Sequence, residues 1–215
     1  MSRDRAASVV SINVGSVREV TYRGKPRTTA IFKEPVGGPV RIDVTGVEGD
    51  IQADPTVHGG PRKAVYAYSV EDDAWWAGKL GIPIPPGTFG ENLTLAGLSV
   101  NDALIGEQWR VGTAVVEVTQ PRFPCWKLGF RMGDGRFPRR FLLGERAGAY
   151  LGVVEPGTVA VGDGVQLISR PPHRLTIGLI AHLNHADRQL ALLLLQAAEA
   201  GVELGELSDL IAGVA

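Results

Sequence analysis

The chain has 215 residues, 44% hydrophobic and 21% charged, proportions that build one buried core and exclude a disordered chain. Twenty-two lysines and arginines oppose 23 acidic residues, a net charge of −1, so no overall field draws the chain to nucleic acid or to an anionic membrane. The single cysteine, Cys125, excludes an intrachain disulfide, no apolar run approaches the roughly 20 residues of a membrane span, and the start lacks a secretory pattern, so a reducing cytoplasm is the expected setting.

From Ser8 to Ser169 short β-branched runs alternate with Gly, Pro, Asn and Asp, the pattern of many short strands joined by turns. Strands are predicted at Val9–Val14, Glu19–Tyr22, Thr29–Lys33, Val40–Val44 and Ala64–Tyr68. Five more follow at Leu93–Leu95, Gln108–Val111, Ala114–Thr119, Thr158–Val161 and Val165–Ile168. Ten strands with few helices predict a mainly β fold, closed or nearly closed into a barrel, because antiparallel sheets must hide their edges. One helix begins at Ser69, a capping residue followed by Glu71 and Asp72, and stops at Gly81. Another covers Pro138–Leu143. After Pro171-Pro172 the pattern turns helical over Thr176–Leu183, Ala186–Ala200 and Leu204–Ile211, which predicts a domain of residues 1–170 and a C-terminal three-helix segment of residues 171–215. Leu190 and Leu192 to Leu195 are apolar enough to cover the strands on one face and a second subunit on another, so a homodimer is an open expectation.

Four stretches carry candidate chemistry. Asp54, His58 and Lys63 flank Gly59-Gly60: an anion-binding loop is one reading, a solvated glycine turn the other. Cys125 sits on a connection stiffened by Pro121 and Pro124, with Arg122 and Lys127 placed to stabilise a thiolate. Such a sulfur binds a soft metal or attacks an electrophile, whereas a lone cysteine is also commonly a small buried hydrophobe. Glu91 and Asn92 follow a glycine turn, facing a pocket or bonding their own turn. Arg131, Arg136, Arg139 and Arg140 alternate with Phe130, Phe137 and Phe141. In a neutral chain these read as a solvated rim or small-phosphate site rather than a nucleic-acid surface. His173, His182 and His185 suit capping or surface roles. No Walker loop, dinucleotide-binding glycine motif or nucleophile elbow is present.

Taken in order, Gly46 to Asp54, His58 to Tyr68, Phe89 to Leu93 and Gln120 to Leu128 resemble the MOSC domain, specifically its YiiM-like branch. The resemblance implies a pyruvate-kinase-like β-barrel that binds the molybdenum cofactor, with Cys125 matching the cysteine that ligates the metal. It implies cofactor-binding roles for Arg27, His58, Lys63, Asn92 and Arg122, and makes His58 or Lys63 the candidate acid beside Cys125. The activity it implies is two-electron reduction of small N-hydroxylated compounds such as hydroxylaminopurines or amidoximes. Having no iron–sulfur cysteine set and no flavin fingerprint, the chain would take electrons from a separate donor protein. The same pocket would also serve a non-catalytic carrier of cofactor or sulfur, and Cys125 with His58 a metal-free thiol catalyst. Arg62, where the branch usually carries an acid, and Glu107, after Gly106, depart from the pattern, the first bearing on substrate choice.

Overall fold

A computed structural model describes residues 6–53 and 59–182, and residues 194, 197, 198, 201 and 202. The strands are β1 (Ser8–Val14), β2 (Arg18–Tyr22), β3 (Lys25–Thr29), β4 (Glu34–Pro35), β5 (Val40–Asp43), β6 (Gly46–Val47) and β7 (Val65–Ser69). They continue as β8 (Leu93–Ala96), β9 (Gln108–Val111), β10 (Ala114–Pro121), β11 (Ala149–Glu155), β12 (Gly157–Val159) and β13 (Val165–Ser169). The helices are α1 (Val70–Leu80), α2 (Trp126–Arg131), α3 (Phe137–Leu143) and α4 (Ile177–His182).

Eight strands form one sheet in the order β13-β9-β10-β11-β7-β8-β1-β4, beside a three-stranded sheet β12-β5-β6 and the β2-β3 hairpin. The sheet is mixed: β7 and β8 run parallel, with α1 as the crossover. It curls far enough for β1 to reach the β13 side through a bridge at Ser8 and Gly164, with Val9 N donating to Asp163 O and Gly162 N to Val9 O. Among the described residues no continuous ladder closes this seam, so the closed or nearly closed barrel expected from the sequence is found as a curved mixed sheet whose ends are bridged but not laddered. Of the three predicted tail helices the first is α4; the other two lie outside the described residues, apart from a few positions.

β7 sits between two cores because both its faces are apolar. Val65 and Ala67 join the sheet core with Ile12, Leu93, Val116 and Leu151, while Tyr66 and Tyr68 join an aromatic core with Trp76, Phe89, Phe137 and Phe141. α1 begins where Ser69 Oγ accepts from Asp72 N at 3.1 Å and ends at Gly81, whose φ of 68° suits a glycine C-cap. Its Trp76 and the α3 pair Phe137 and Phe141 bury the same aromatic core, the last two four residues apart on one helix face. Leu175, Ile177 and Ile180 pack into the sheet core, so the start of the tail shares its interior. His173 fastens that junction: its Nδ1 accepts from Leu175 N at 3.0 Å, which leaves Nε2 to donate to Ile105 O at 2.9 Å. Glu107 holds the same region, accepting from Trp109 Nε1 at 2.7 Å and Arg170 Nε at 2.8 Å.

The predicted strand Thr29–Lys33 is displaced. A two-residue turn at Arg23 and Gly24, with φ of 53° and 73°, sets Tyr22 opposite Lys25, so pairing ends at Thr29. Thr29 Oγ1 then accepts from Ile31 N at 3.2 Å, and the chain turns away from the hairpin before Lys33.

Candidate functional site

A cleft opens at the junction of these elements, lined by Ala30, Ile31, Lys33, Asp50 to Ala53, Lys63, Tyr66, Gly90, Asn92, Arg122, Cys125, Lys127 and Tyr150. Each group arrives for a local reason. Lys63 ends a 3-10 turn started by Pro61, Tyr66 points off β7 into the aromatic core, and Asn92 stands one residue before β8. Cys125 directly precedes α2 on the connection leaving β10, and is partly exposed.

The wall is electrically lopsided. Lys33, Lys63, Arg122 and Lys127 are each at most 9% exposed, and Asp50 is the one acidic residue lining the cleft among those described. Asp50 pairs with Lys33, and its carboxylate also accepts from Asn92 Nδ2 at 2.9 Å and Gly15 N at 2.7 Å. Burial lowers the Lys33 pKa, with Asp50 opposing that shift and Arg122 adding to it. Arg122 lies over the rings of Tyr66 and Phe141, 5.5 and 5.8 Å from their centroids. Its Nη1 is buried with no hydrogen-bond partner among the described residues. A buried cation with an unsatisfied donor in an open cleft is a site prepared for an anion.

The structure brings Lys63, Asn92, Arg122 and Cys125 to this one cleft. Asn92 is largely committed to the fold: its Oδ1 accepts from Tyr66 N at 3.1 Å and its amide donates to Asn13 O at 3.2 Å as well as to Asp50. Arg27 does not line the cleft; it is exposed on β3. Arg62 is also outside the lining, its carbonyl accepting from Thr119 Oγ1 at 2.5 Å. Asp54, His58 and His185 lie outside the described residues. His182 pairs with Glu145 at 2.7 Å on the surface. Glu91 does not face the cleft: fully buried, it accepts from Gly87 N at 2.5 Å and Phe89 N at 3.1 Å and so fixes the turn that places Asn92. Sequence reasoning missed Lys33 and the role of Asp50, because a lysine at the end of an apolar run and an aspartate after a glycine carry no local signal of pairing across 17 residues.

The sequence matches the family model of the MOSC domain over residues 54–166. The chain belongs to the MOSC family. It is 37% identical over 180 residues to YflK of Bacillus subtilis strain 168, covering 84% of this chain and 81% of that one. The crystal structure of YiiM from Geobacillus stearothermophilus superimposes with a TM-score of 0.74 at 33% identity, over 91% of this chain and 92% of that one. A protein of Gibberella moniliformis named a reductase is 33% identical over 168 residues, 76% of this chain but 29% of its own length. The structural neighbour fits the mixed, sheet-dominated architecture described above. Among the described residues no helix is long and apolar enough to cross a membrane.

Proposed function

We propose that this MOSC protein binds the molybdenum cofactor in the Cys125 cleft and reduces small N-hydroxylated compounds. The observation that carries this reading is that one cysteine lines the same cleft as four buried cationic side chains. A phosphate-bearing pterin that brings its own sulfur ligands to the metal needs positive charge for its phosphate and one further soft ligand from the protein. Lys63, Lys127 and Arg122 would supply the charge, Lys33 being paired with Asp50, and Nη1 of Arg122 makes no hydrogen bond among the described residues that the ligand would have to displace. Cys125 supplies the sulfur. Held there by Cys125 and the cationic wall, the cofactor would supply two electrons at a time.

This chain's own residues then bind, orient and move protons. The balance is fixed: an N–O bond breaks, two electrons and two protons are consumed, and the amine or amidine leaves with one water. Lys63, buried on the cleft wall, is the described candidate to donate a proton to the leaving oxygen, and His58 is the other residue suited to that step. Tyr66 stays protonated, since burial raises its pKa well above the usual phenol range, and its hydroxyl donates to Ala147 O at 2.8 Å. It therefore acts as a ring on which Arg122 rests. The reductase name of the fungal relative favours turnover over passive carriage.

The test is molybdenum content, by elemental mass spectrometry, of the parent and Cys125→Ala proteins purified from a host that makes the cofactor. Near-stoichiometric metal in the parent, sharply reduced in the variant, is expected, followed by reduction of a hydroxylaminopurine with a chemical donor. No metal in either protein overturns the reading.

A further inference from the structure

The β2-β3 hairpin separates charge by its pleat. Register places Tyr22 opposite Lys25, Val20 opposite Arg27 and Arg18 opposite Thr29, so these six share one face while Glu19 takes the other. At Tyr22 this face meets α2, which begins immediately after Cys125. Tyr22 stacks on Trp126 with centroids 4.6 Å apart and meets Phe130 edge-on at 6.5 Å. Phe32 carries two guanidinium groups, Arg18 at 5.1 Å and Arg131 at 4.8 Å from its centroid. Arg18 is answered by Glu34 at 2.9 Å. Among the described residues Arg23, Lys25, Arg27 and Arg131 form no ion pair.

The hairpin tip adds a separate observation. Arg23 holds φ of 53° and its guanidinium covers the Tyr22 ring at 5.3 Å. Asn or Gly takes that left-handed conformation with less strain, so an arginine there keeps a positive charge at the tip at some cost in stability.

We propose that this cationic face docks an acidic electron-donor protein beside the Cys125 cleft. The inference rests on the reductase reading, which requires electrons from outside a chain with one cysteine. Unanswered cations on a chain of net charge −1 favour a partner bearing a compact acidic patch. The Tyr22–Trp126 stack joins the hairpin's cationic face to the residue following Cys125. Nucleic acid is a poorer fit, because the aromatic rings here pack on one another and on guanidinium groups, which leaves few faces for bases.

The experiment uses Arg23→Asn, which eases the turn, and the double variant Arg23→Asn/Lys25→Glu. Binding of two acidic probes, oxidised flavodoxin and a plant-type ferredoxin, is measured by biolayer interferometry at about 50 mM ionic strength. Turnover of the molybdenum-loaded protein is driven either by flavodoxin with its reductase and NADPH, or by reduced methyl viologen. The expected result is binding of at least one acidic protein by the parent, weakened about tenfold in the double variant. Flavodoxin-driven kcat/KM falls in step, viologen-driven turnover is unchanged, and Arg23→Asn melts no lower than the parent. Failure of the parent to bind either protein, equal binding by the variants, or a parallel fall in viologen-driven turnover overturns the proposal. Tighter binding of duplex DNA than of flavodoxin, lost in the same variants, also overturns it. A parent that docks flavodoxin in this charge-dependent way but reduces no N-hydroxylated substrate with viologen overturns the reductase reading and leaves the docking face standing.

Discussion

The carboxylate oxygen of Asp50 that pairs with Lys33 also accepts a 2.9 Å hydrogen bond from Asn92. One oxygen thus ties the segment after the hairpin to the turn before β8. Asp50→Asn leaves Lys33, 9% exposed, as an unpaired buried cation, with an expected loss of about 3–5 kcal/mol. Because burial already lowers the Lys33 pKa, raising the pH neutralises it in the variant and narrows the deficit. Urea unfolding at about pH 7 and about pH 9 measures both effects.

Arg122 poses an opposite trade. With Nη1 lacking a hydrogen-bond partner among the described residues, it costs the ligand-free chain desolvation that the ring contacts offset only in part. Arg122→Met retains contact with Tyr66 and Phe141 and is expected to raise the melting temperature of the cofactor-free protein while lowering its retained molybdenum. Scanning calorimetry paired with elemental analysis tests this; a variant less stable and equally loaded contradicts it.

Asp73, on the first turns of α1, has both carboxylate oxygens buried without partners among the described residues. Burial, reinforced by Glu91, Asp72 and Glu71, raises its pKa to about 9. The folded state therefore holds a proton that the unfolded chain releases, and stability declines as pH rises from about 4 to about 9. Asp73→Asn removes that decline. Its urea midpoint is expected to match the parent in mild acid and exceed it progressively toward about pH 9.

At His173 the sign reverses. Burial lowers its pKa below the ordinary 6.5, and its two ring nitrogens are already used as acceptor from Leu175 and donor to Ile105. Its contribution is complete above the unfolded value and is lost as pH falls through that value toward the folded one. A His173→Gln protein is expected to show a flatter loss of stability between about pH 7 and about pH 5, read from denaturant midpoints.

Where one segment decided its own conformation, the sequence was legible. Ser69 and Gly81 bracket α1 as cap and stop, and the β-branched run around β10 predicts a strand that extends two residues further to Pro121. Central strand β11 escaped notice because Gly148, Gly152 and Ala149 dilute its apolar pattern; pairing with β7 and β10 makes it a strand. Helix α2 follows a proline-rich stretch whose local signal is loop, and it forms with Leu128 buried in the aromatic core. For the site, Cys125, Arg122, Lys63 and Asn92 were named because their motifs are contiguous. Lys33 was not, since its meaning comes from Asp50, and their pairing is a product of tertiary structure.

The parallel neighbours β7 and β8 impose an order in time. Parallel strands cannot meet through a tight turn, so Tyr66 and Asn92, which exchange hydrogen bonds across 26 residues, join only after α1 has been laid between them. Cys125 emerges from the ribosome later still, and Gly148, whose carbonyl accepts from Arg122 N at 3.4 Å, later again. No nascent fragment short of that length carries the assembled cleft, so whatever the cleft takes enters only once the chain has grown past Tyr150.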